Sequence, residues 1–245
     1  MTALLVDKRE VRIRRMFGSI APTYDLLNHL LSFNIDRYWR WRTTRLVPPT
    51  PGTPILDLCT GTGDLALAYD KAARGQCPIT GADFCHEMLC RATAKSERRG
   101  ASGRIRFLEA DAQHLPFPDN SFQISTVAFG LRNVTDTDRG IAELVRVTRP
   151  GGQVAILEFS QPRSWLFGRL YRFYFRQVLP RVGQWISRSQ DQAYRYLPAS
   201  VNEFPDGEAL AERLRRHGLM QVVWHPFTFG IATLYIGIKN SSIAP

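Results

Sequence analysis

Long apolar runs, paired cysteines and clustered metal ligands are all missing from this chain. No apolar stretch in its 245 residues approaches the ~20 residues that a membrane-spanning helix needs. No group of histidines and acids has metal-ligand spacing, so we expect no metal site. The cysteines form no C-x-x-C pair, and we expect reduced, small core residues at Cys59, Cys77, Cys85 and Cys90.

Acidic residues are also scarce relative to basic ones, and the net charge is +10. Such a charge is typical of proteins that bind nucleic acid or an anionic membrane surface, and also of a basic surface that simply faces water. The charged residues 7–10 come too early for a signal peptide, so we expect a cytoplasmic protein. A chain of 245 residues with 44% hydrophobic residues can form one domain with a buried core.

Residues 55–69 combine a short apolar strand, a glycine loop and the start of a helix. Asp57 lies in the strand, and Gly61 and Gly63 form a G-x-G loop. Because glycine has no Cβ, the backbone N–H groups of such a loop can approach a ligand closely. Asp83 closes the next strand, where a carboxylate can accept hydrogen bonds from ribose hydroxyls. The segment therefore predicts a nucleoside site.

The acids around this loop favour S-adenosylmethionine over NAD. S-adenosylmethionine carries an ammonium and a sulfonium, which Asp57 can face from the mouth of the predicted pocket. NAD carries a pyrophosphate, which prefers a helix N-terminus without acids, and Asp64 at that position would repel it. Ala66, however, fits the third position of the dinucleotide pattern, so these residues alone leave NAD open.

Strands and helices alternate along the chain, as a parallel sheet requires. A predicted helix over Ile141–Thr148 ends at Pro150–Gly152, and strands are predicted over 154–157, 220–226 and 229–239. We expect a single domain, 1–245, with four parts: an amino-terminal helical segment (1–49), a cofactor-binding core (50–159), a helical insertion or lid (160–200), and a closing helix and strands (201–240).

The predicted insertion interrupts the alternation. Between Gln161 and Gln190 there are six arginines and no acids, and aromatic residues lie among them. The segment is too long for a crossover loop, which favours a helical insertion. It is either a lid that packs on the sheet or a surface that receives an apolar, membrane-dissolved substrate, with its arginines facing anionic lipid headgroups.

Short motifs spread over residues 12–239 resemble one family. They are MFGSIAPTYD (16–25), LLSF (30–33), DRYW (36–39), LPFPD (115–119), FGLRNV (129–134), LEFS (157–160) and YRYL (194–197). Runs like LPFPD occur in many methyltransferases, whereas FGLRNV and YRYL are far more particular. Together they are similar to the ubiquinone/menaquinone-biosynthesis C-methyltransferases.

The resemblance implies a Rossmann-like class I S-adenosylmethionine-dependent methyltransferase fold. This is an α/β fold with a seven-stranded, mostly parallel sheet, helices on both faces, an amino-terminal helical segment and a helical insertion after strand 5. It also implies cofactor-binding residues at Thr62, Asp83, Asp111, Ala112 and Ala128. An alanine at 128 offers only backbone groups.

The same resemblance implies methyl transfer from S-adenosylmethionine to a ring carbon of a prenylated quinol. Residues 194–202 look more like menaquinone-type members, which favours demethylmenaquinol as substrate. A ubiquinone-pathway benzoquinol is the alternative, because residue chemistry does not distinguish the two rings.

Arg132 and Asn133 are the predicted catalytic residues, because they follow the fourth strand at the end where open α/β sheets bind ligands. A guanidinium lowers the pKa of a nearby phenol and so stabilises a phenolate. The alternative is that Arg132 pairs with a carboxylate such as Asp136. The candidates for lining the ring pocket, which plain packing could equally explain, are Tyr24, Asn28 and Tyr194. Two histidines are weaker candidates for a base: His29 and His114.

Two other functions stay open at this point. The first is methylation of RNA or another small molecule, which the charge supports, although we find no nucleic-acid-binding module and expect no nucleic-acid partner. The second is a non-catalytic membrane-surface or assembly protein that keeps the nucleoside site for stability. A homo-oligomer is compatible with the sequence.

Overall fold

The computed structural model describes residues 7–162, 164–178, 181 and 193–240. Its strands are β1 Ile55–Leu58, β2 Ile79–Asp83, β3 Ile105–Glu109, β4 Phe122–Ala128, β5 Thr148–Phe159, β6 Leu219–Phe227 and β7 Ala232–Lys239. They form one seven-stranded sheet in the order β3-β2-β1-β4-β5-β7-β6. Only β7 is antiparallel to its neighbours, β5 and β6. The expected seven-stranded, mostly parallel sheet is confirmed.

Helices surround this sheet. They are α1 Glu10–Ile20, α2 Tyr24–Leu31, α3 Ile35–Leu46, α4 Asp64–Ala72, α5 His86–Arg98, α6 Thr137–Val147, α7 Trp165–Phe173, α8 Ala193–Glu203 and α9 Glu208–Arg216. A π-helical turn, Tyr174–Val178, continues α7. The described parts of the predicted insertion are thus largely helical, and residues 163, 179–180 and 182–192 of it lie outside the described residues.

Apolar side chains cover both faces of the sheet. On one face, Ile141 and Leu144 of α6 and Leu210 of α9 pack into a cluster with side chains of β1 and β4. On the other face, Trp39 of α3 and Tyr69 of α4 belong to a second cluster. Because its strands are buried on both sides, their sequences read as nearly continuous apolar runs rather than as alternating ones.

A third apolar cluster joins the amino-terminal helices to the rest of the molecule. Ile13 and Met16 of α1 and Leu27 of α2 pack with Met88 of α5 and Tyr196 of α8. Met88 lies shortly after the end of β2. The amino-terminal helices are therefore held near the carboxyl ends of the strands, where α/β sheets bind ligands.

Two predicted boundaries differ from the structure. Helix α6 ends at Val147, and β5 already begins at Thr148, whose hydroxyl bonds Ser125 Oγ at 2.7 Å and the Leu144 carbonyl at 2.6 Å. The pairing of β4 with β5 shifts within residues 122–124, so the glycines predicted to end the helix lie inside the strand instead. Strand β7 begins at Ala232 rather than at 229, because Thr228–Gly230 form a 3-10 turn.

Candidate active site

Asp57 holds the loop between β1 and α4 in place. Its Oδ2 atom accepts hydrogen bonds from Thr60 Oγ1 at 2.6 Å and from the Ala66 N–H at 3.0 Å. The side chain is buried, and burial raises the pKa of its carboxyl to about 7. The buried carboxylate also lines a cavity beside the loop that it shapes, so its predicted role in binding the cofactor stays a prediction.

Gly61 and Gly63 adopt backbone conformations that other residues rarely adopt, with φ angles of +56° and +81°. A Cβ at Gly63 would also lie 3.0 Å from the ring of Phe107. The Gly61 N–H donates to Asp83 Oδ2 at 2.8 Å. This hydrogen bond connects the glycine loop to the end of β2.

Asp83, Asp111 and Ala112 line one cavity, together with Asn133. Asp83 Oδ1 accepts from the Cys85 N–H at 2.9 Å, and burial raises the pKa of this carboxyl to about 6. We call this space the nucleoside cavity. Its apolar walls are formed by Ile13, Phe17, Phe84 and Met88. An apolar slot with two carboxylates at one end fits the adenine and ribose of S-adenosylmethionine.

A smaller cavity adjoins it, and the residues common to both linings include Tyr24, Gly61, Ala128 and Phe129. We call this the polar cavity, because it is lined by the oppositely charged side chains of Arg40 and Asp64. Arg40 Nη2 lies 3.8 Å from Asp64 Oδ2. Its lining also contains Asp57, Thr60 and Thr62. Neighbouring groups of opposite sign fit the zwitterionic amino-acid end of S-adenosylmethionine.

A third cavity is lined mostly by aromatic and apolar side chains. Tyr24 and Phe129 line all three cavities, so the spaces meet at these two rings. We call this one the aromatic cavity. Its lining is Phe17, Ile20, Tyr24, Asn28, Ser32, Asp36, Trp39, Arg40, Phe129, Arg132, Phe159, Tyr196 and Leu197. A flat apolar ring would find many apolar contacts and few charges here.

Arg132 lies in a 3-10 turn directly after β4, and its side chain is buried. Nη1 donates to Glu158 Oε2 at 2.9 Å and also to the carbonyl of Phe129. The Arg132 guanidinium carbon lies 5.2 Å from the ring centre of Phe159. Arg132 thus pairs with a carboxylate, as the alternative interpretation expected, but the partner is Glu158. The Asp136 carboxylate instead accepts from the backbone at the start of α6.

The structure separates the two predicted catalytic residues. Arg132 lines the aromatic cavity, whereas Asn133 lines the nucleoside cavity. Asn133 Nδ2 is 3.5 Å from the Phe129 carbonyl, and its Oδ1 is buried without a hydrogen-bond partner among the described residues. Consecutive residues of a tight turn point in different directions, so their adjacency in sequence did not bring them to one ligand.

Of the predicted ring-pocket residues, Tyr24 and Asn28 do line the aromatic cavity. Burial raises the pKa of the Tyr24 hydroxyl above its ordinary value, and the Asn28 side chain bonds to it. Tyr194 is in α8, but its side chain lies outside the described residues. Tyr196, two residues further along the same helix, lines the cavity, and nothing in the sequence distinguished it from Tyr194.

Hydrogen bonds and ion pairs between side chains connect α2 to the glycine loop. Thr62 Oγ1 donates to the Asp25 carboxylate, and Lys95 Nζ lies 2.5 Å from Asp25 and 2.9 Å from Asp64.

The two candidate histidines do not line the aromatic cavity. His29 pairs with Asp36 at 2.9 Å, and His114 is exposed beside Asp111.

Folding gathers one group of metal-type ligands that spacing did not indicate. Atoms of His29, Asp36 and Asp64 lie within 4.8 Å of one another. Both carboxylates are already paired with cations, since Arg40 contacts each and Lys95 contacts Asp64. Positive charges at that distance oppose the binding of a metal cation.

The cysteines are all free thiols. Cys77 and Cys85 are buried, as expected, and burial raises the pKa of Cys85 to about 12. Cys59 is half-buried, while Cys90 is exposed on α5 and is not the core residue that we predicted.

Within the described ranges, the helices are all too short or too polar to cross a bilayer.

Comparison with known sequences gives a consistent result. A model of the ubiE/COQ5 methyltransferase family matches residues 5–239. The ubiquinone/menaquinone biosynthesis C-methyltransferase UbiE of Geobacter sulfurreducens is 45% identical over 236 residues, which cover 96% of this chain and 91% of that protein. The demethylmenaquinone methyltransferase of Thermus thermophilus is 48% identical over 222 residues, which cover 91% and 99%.

Solved structures share the fold at low identity. The cyclase SpnF superposes with a TM-score of 0.64 and 19% identity, covering 83% of this chain and 81% of that one. An S-adenosylmethionine-dependent methyltransferase of Thermotoga maritima gives a TM-score of 0.64 and 15% identity, covering 92% and 99%. At these identities the likeness concerns the fold alone. It confirms the Rossmann-like class I methyltransferase architecture.

Proposed function

Because this chain belongs to the ubiE/COQ5 methyltransferase family, we propose that it transfers a methyl group from S-adenosylmethionine to a ring carbon of demethylmenaquinol, forming menaquinol. One observation carries the proposal. The aromatic cavity, which contains the Arg132 guanidinium, meets the two cavities that suit S-adenosylmethionine at the rings of Tyr24 and Phe129. A ring in that cavity would therefore lie next to the methyl donor.

We assign the cofactor contacts as follows. The Asp83 carboxylate accepts from the ribose hydroxyls, while Arg40 and Asp64 bind the amino-acid end. Asn133, which the sequence predicted to be a catalytic residue, is better placed to bind adenine. Its Oδ1 is an acceptor without a partner among the described residues, and the adenine amine is a donor.

S-adenosylmethionine supplies an electrophilic methyl group at its sulfonium. Carbon is a poor nucleophile unless the ring is electron-rich, and ionising a ring hydroxyl puts negative charge on the neighbouring carbon. The protein must therefore stabilise the phenolate, orient the ring and exclude water. Arg132 suits the first task, since a buried guanidinium favours the ionised form of a nearby phenol. The new carbon–carbon bond forms as the carbon–sulfur bond of the sulfonium breaks, which leaves S-adenosylhomocysteine. The methylated ring carbon then loses its proton to water, and the ring regains aromaticity.

The assay uses purified protein, methyl-labelled S-adenosylmethionine and one of three acceptors. These are a short-chain demethylmenaquinol, the corresponding benzoquinol of the ubiquinone pathway, and total RNA. We expect the label in the naphthoquinol, as a methyl group bonded to a ring carbon. Label in RNA alone would favour the alternative that the charge of +10 suggests. Cofactor binding without transfer to any acceptor would contradict the proposal.

We also propose that the enzyme collects its substrate at an anionic membrane surface. Phe33 precedes α3, Trp165 and Phe173 lie in α7, and all three are among the most exposed large apolar side chains. Phe33 lies against Tyr174, with ring centres 6.1 Å apart, so the α2–α3 turn and the end of α7 form one exposed apolar edge. Such an edge, with arginines nearby such as the exposed Arg169, fits a lipid headgroup region.

Flotation with vesicles tests this surface. Wild-type protein should bind vesicles of mixed neutral and anionic lipid, and salt should weaken that binding. Replacing Phe33 and Phe173 by Ser should reduce binding about tenfold. Val223→Ser, at another exposed apolar position, on β6, is the control and should bind normally. Equal binding of all three proteins would remove the membrane proposal without affecting the methyl-transfer proposal.

A further inference from the structure

Two polar groups on the wall of the aromatic cavity have no hydrogen-bond partner. They are the hydroxyl of Tyr196 and the Nε–H of Arg132, both buried and both unpaired among the described residues. A buried donor without a partner is costly, so native proteins rarely keep one without a reason. Two such donors on one cavity point to an acceptor that binds there.

Tyr196 is held firmly in this position. Its side chain is 7% exposed and packs in the apolar cluster of Ile13, Met16 and Val201. Burial raises the pKa of its hydroxyl to about 12, so the group stays protonated near neutral pH and can donate. Arg132 lines the same cavity, and its charge partly opposes this rise in the pKa of Tyr196.

The Arg132 guanidinium is fixed from the opposite side. Its Nη1 is engaged by Glu158 and by the Phe129 carbonyl, which leaves the Nε–H uncommitted. Neither this N–H nor the Tyr196 hydroxyl is open to solvent, although both residues line the aromatic cavity. Water would then be excluded once the ring is bound, and each hydrogen bond to an ionised oxygen would be stronger than in water.

We propose that Tyr196 is a second donor to the substrate, and that its hydroxyl and the Arg132 guanidinium together bind the ring oxygen that ionises. This proposal rests on the proposed function, because it takes a quinol as the ligand. A phenolate oxygen has lone pairs for more than one donor, and paired donors stabilise developing negative charge better than one. No proton is lost from Tyr196 in this role.

The test is Tyr196→Phe, which removes one oxygen atom and keeps the ring. We expect kcat with demethylmenaquinol to fall about 10- to 100-fold while the Kd for S-adenosylmethionine stays unchanged, since Tyr196 does not line the nucleoside cavity. Loss of a donor also raises the pKa of the bound phenol. The ascending limb of the kcat–pH profile should therefore move to higher pH by about 1–2 units.

Tyr69→Phe is a matched control. The Tyr69 hydroxyl is also buried without a partner among the described residues, and its side chain is 0% exposed, but Tyr69 points from α4 into the core and lines none of the three cavities. Its removal should leave kcat and the pH profile unchanged. A melting curve on each variant separates folding defects from effects on the reaction.

A second readout does not depend on turnover. A nitro-substituted naphthol, whose ionised form absorbs visible light, should show a lower bound pKa in wild type than in Tyr196→Phe. Unchanged kcat, pH profile and bound pKa in Tyr196→Phe would overturn the role of Tyr196 while leaving the proposed function intact. If wild-type protein bound S-adenosylmethionine but did not methylate the quinol, the proposed function itself would fail.

Discussion

Glu158 Oε2 lies 2.9 Å from Arg132 Nη1, and both side chains are buried. Arg132 lines the aromatic cavity, whereas Glu158 does not. The carboxylate thus compensates and orients the guanidinium from outside the ligand space. Removing one partner of a buried pair leaves an uncompensated charge, which is far more costly than losing an exposed pair.

Glu158→Ala should lower the free energy of unfolding by about 3–5 kcal/mol, because it leaves the Arg132 guanidinium buried without its counter-charge. Urea unfolding measures this change. Glu109→Ala, which removes the exposed partner of Arg14, is the control and should cost less than about 1 kcal/mol. Similar losses in the two variants would show that the buried pair has no special importance for stability.

A double replacement separates the structural role of Arg132 from its catalytic role. Arg132→Ala should reduce turnover sharply and destabilise the protein, while the affinity for S-adenosylmethionine stays near normal. In Arg132→Met/Glu158→Leu no buried charge is left alone, so most of the stability should return. Turnover should stay low, because the phenolate still lacks its cation. Retained turnover in either variant would rule out the proposed action of Arg132.

Asp83 should make cofactor binding depend on pH. Burial raises its pKa to about 6, so the carboxylate that accepts from ribose becomes ionised as the pH rises through that value. The affinity for S-adenosylmethionine should therefore increase between pH 5 and 7.5 in calorimetric titrations. Asp83→Asn should bind about tenfold or more weakly and should lose this dependence.

Asp111→Asn provides the comparison for that titration. At Asp111, burial is outweighed by hydrogen bonds from Gln113 and His114, and the pKa of the carboxyl is lowered. This carboxylate is already ionised at pH 5. The Asp111 variant should bind more weakly and still show the rise in affinity with pH. If it lost the rise instead, the assignment to Asp83 would be wrong.

Asp57 should make stability fall as the pH rises. Its folded-state pKa of about 7 lies above the ordinary 3.8, so the folded protein retains a proton that the unfolded chain has lost. The stabilisation is complete below pH ~3.8 and is lost as the pH rises through about 7. In wild type the free energy of unfolding should therefore decrease between pH 5 and 8. Asp57→Asn should make this decrease smaller by about 2–3 kcal/mol, which urea unfolding at each pH would measure. Asp119→Asn, at an exposed ion pair, should not change the slope.

Gly63→Ala should lower the free energy of unfolding by about 2–3 kcal/mol and weaken S-adenosylmethionine binding. The backbone strain at φ +81° adds to a 3.0 Å approach to Phe107. Gly52 has a similar φ of +79°, but nothing lies within 4 Å of a Cβ there. Gly52→Ala should therefore cost only the strain, about 1 kcal/mol, and leave binding unchanged. Equal costs would show that the contact with Phe107 is relieved easily.

The features that local sequence predicted depend on short stretches of chain. Gly61, Gly63 and Asp83 were recognisable because a strand, a loop and the next strand have standard lengths, so spacing alone places these residues. The misplaced boundary at Thr148 shows the limit of that reasoning. The pairing of β4 with β5 decided it, and such pairing involves residues far apart in the chain.

By itself, the sequence determined the alternation of strands and helices, the nucleoside loop and the family, because periodicity and motif spacing are properties of neighbouring residues. Only the tertiary structure decided that Arg132 pairs with Glu158, that Asn133 lines a different cavity, and that Tyr196 reaches the aromatic one. The physical reason is that Arg132 and Glu158 meet because β4 pairs with β5, and Tyr196 reaches its cavity because α1, α2 and α8 pack in one apolar cluster. That packing follows the burial of apolar surface, which no local pattern specifies in detail.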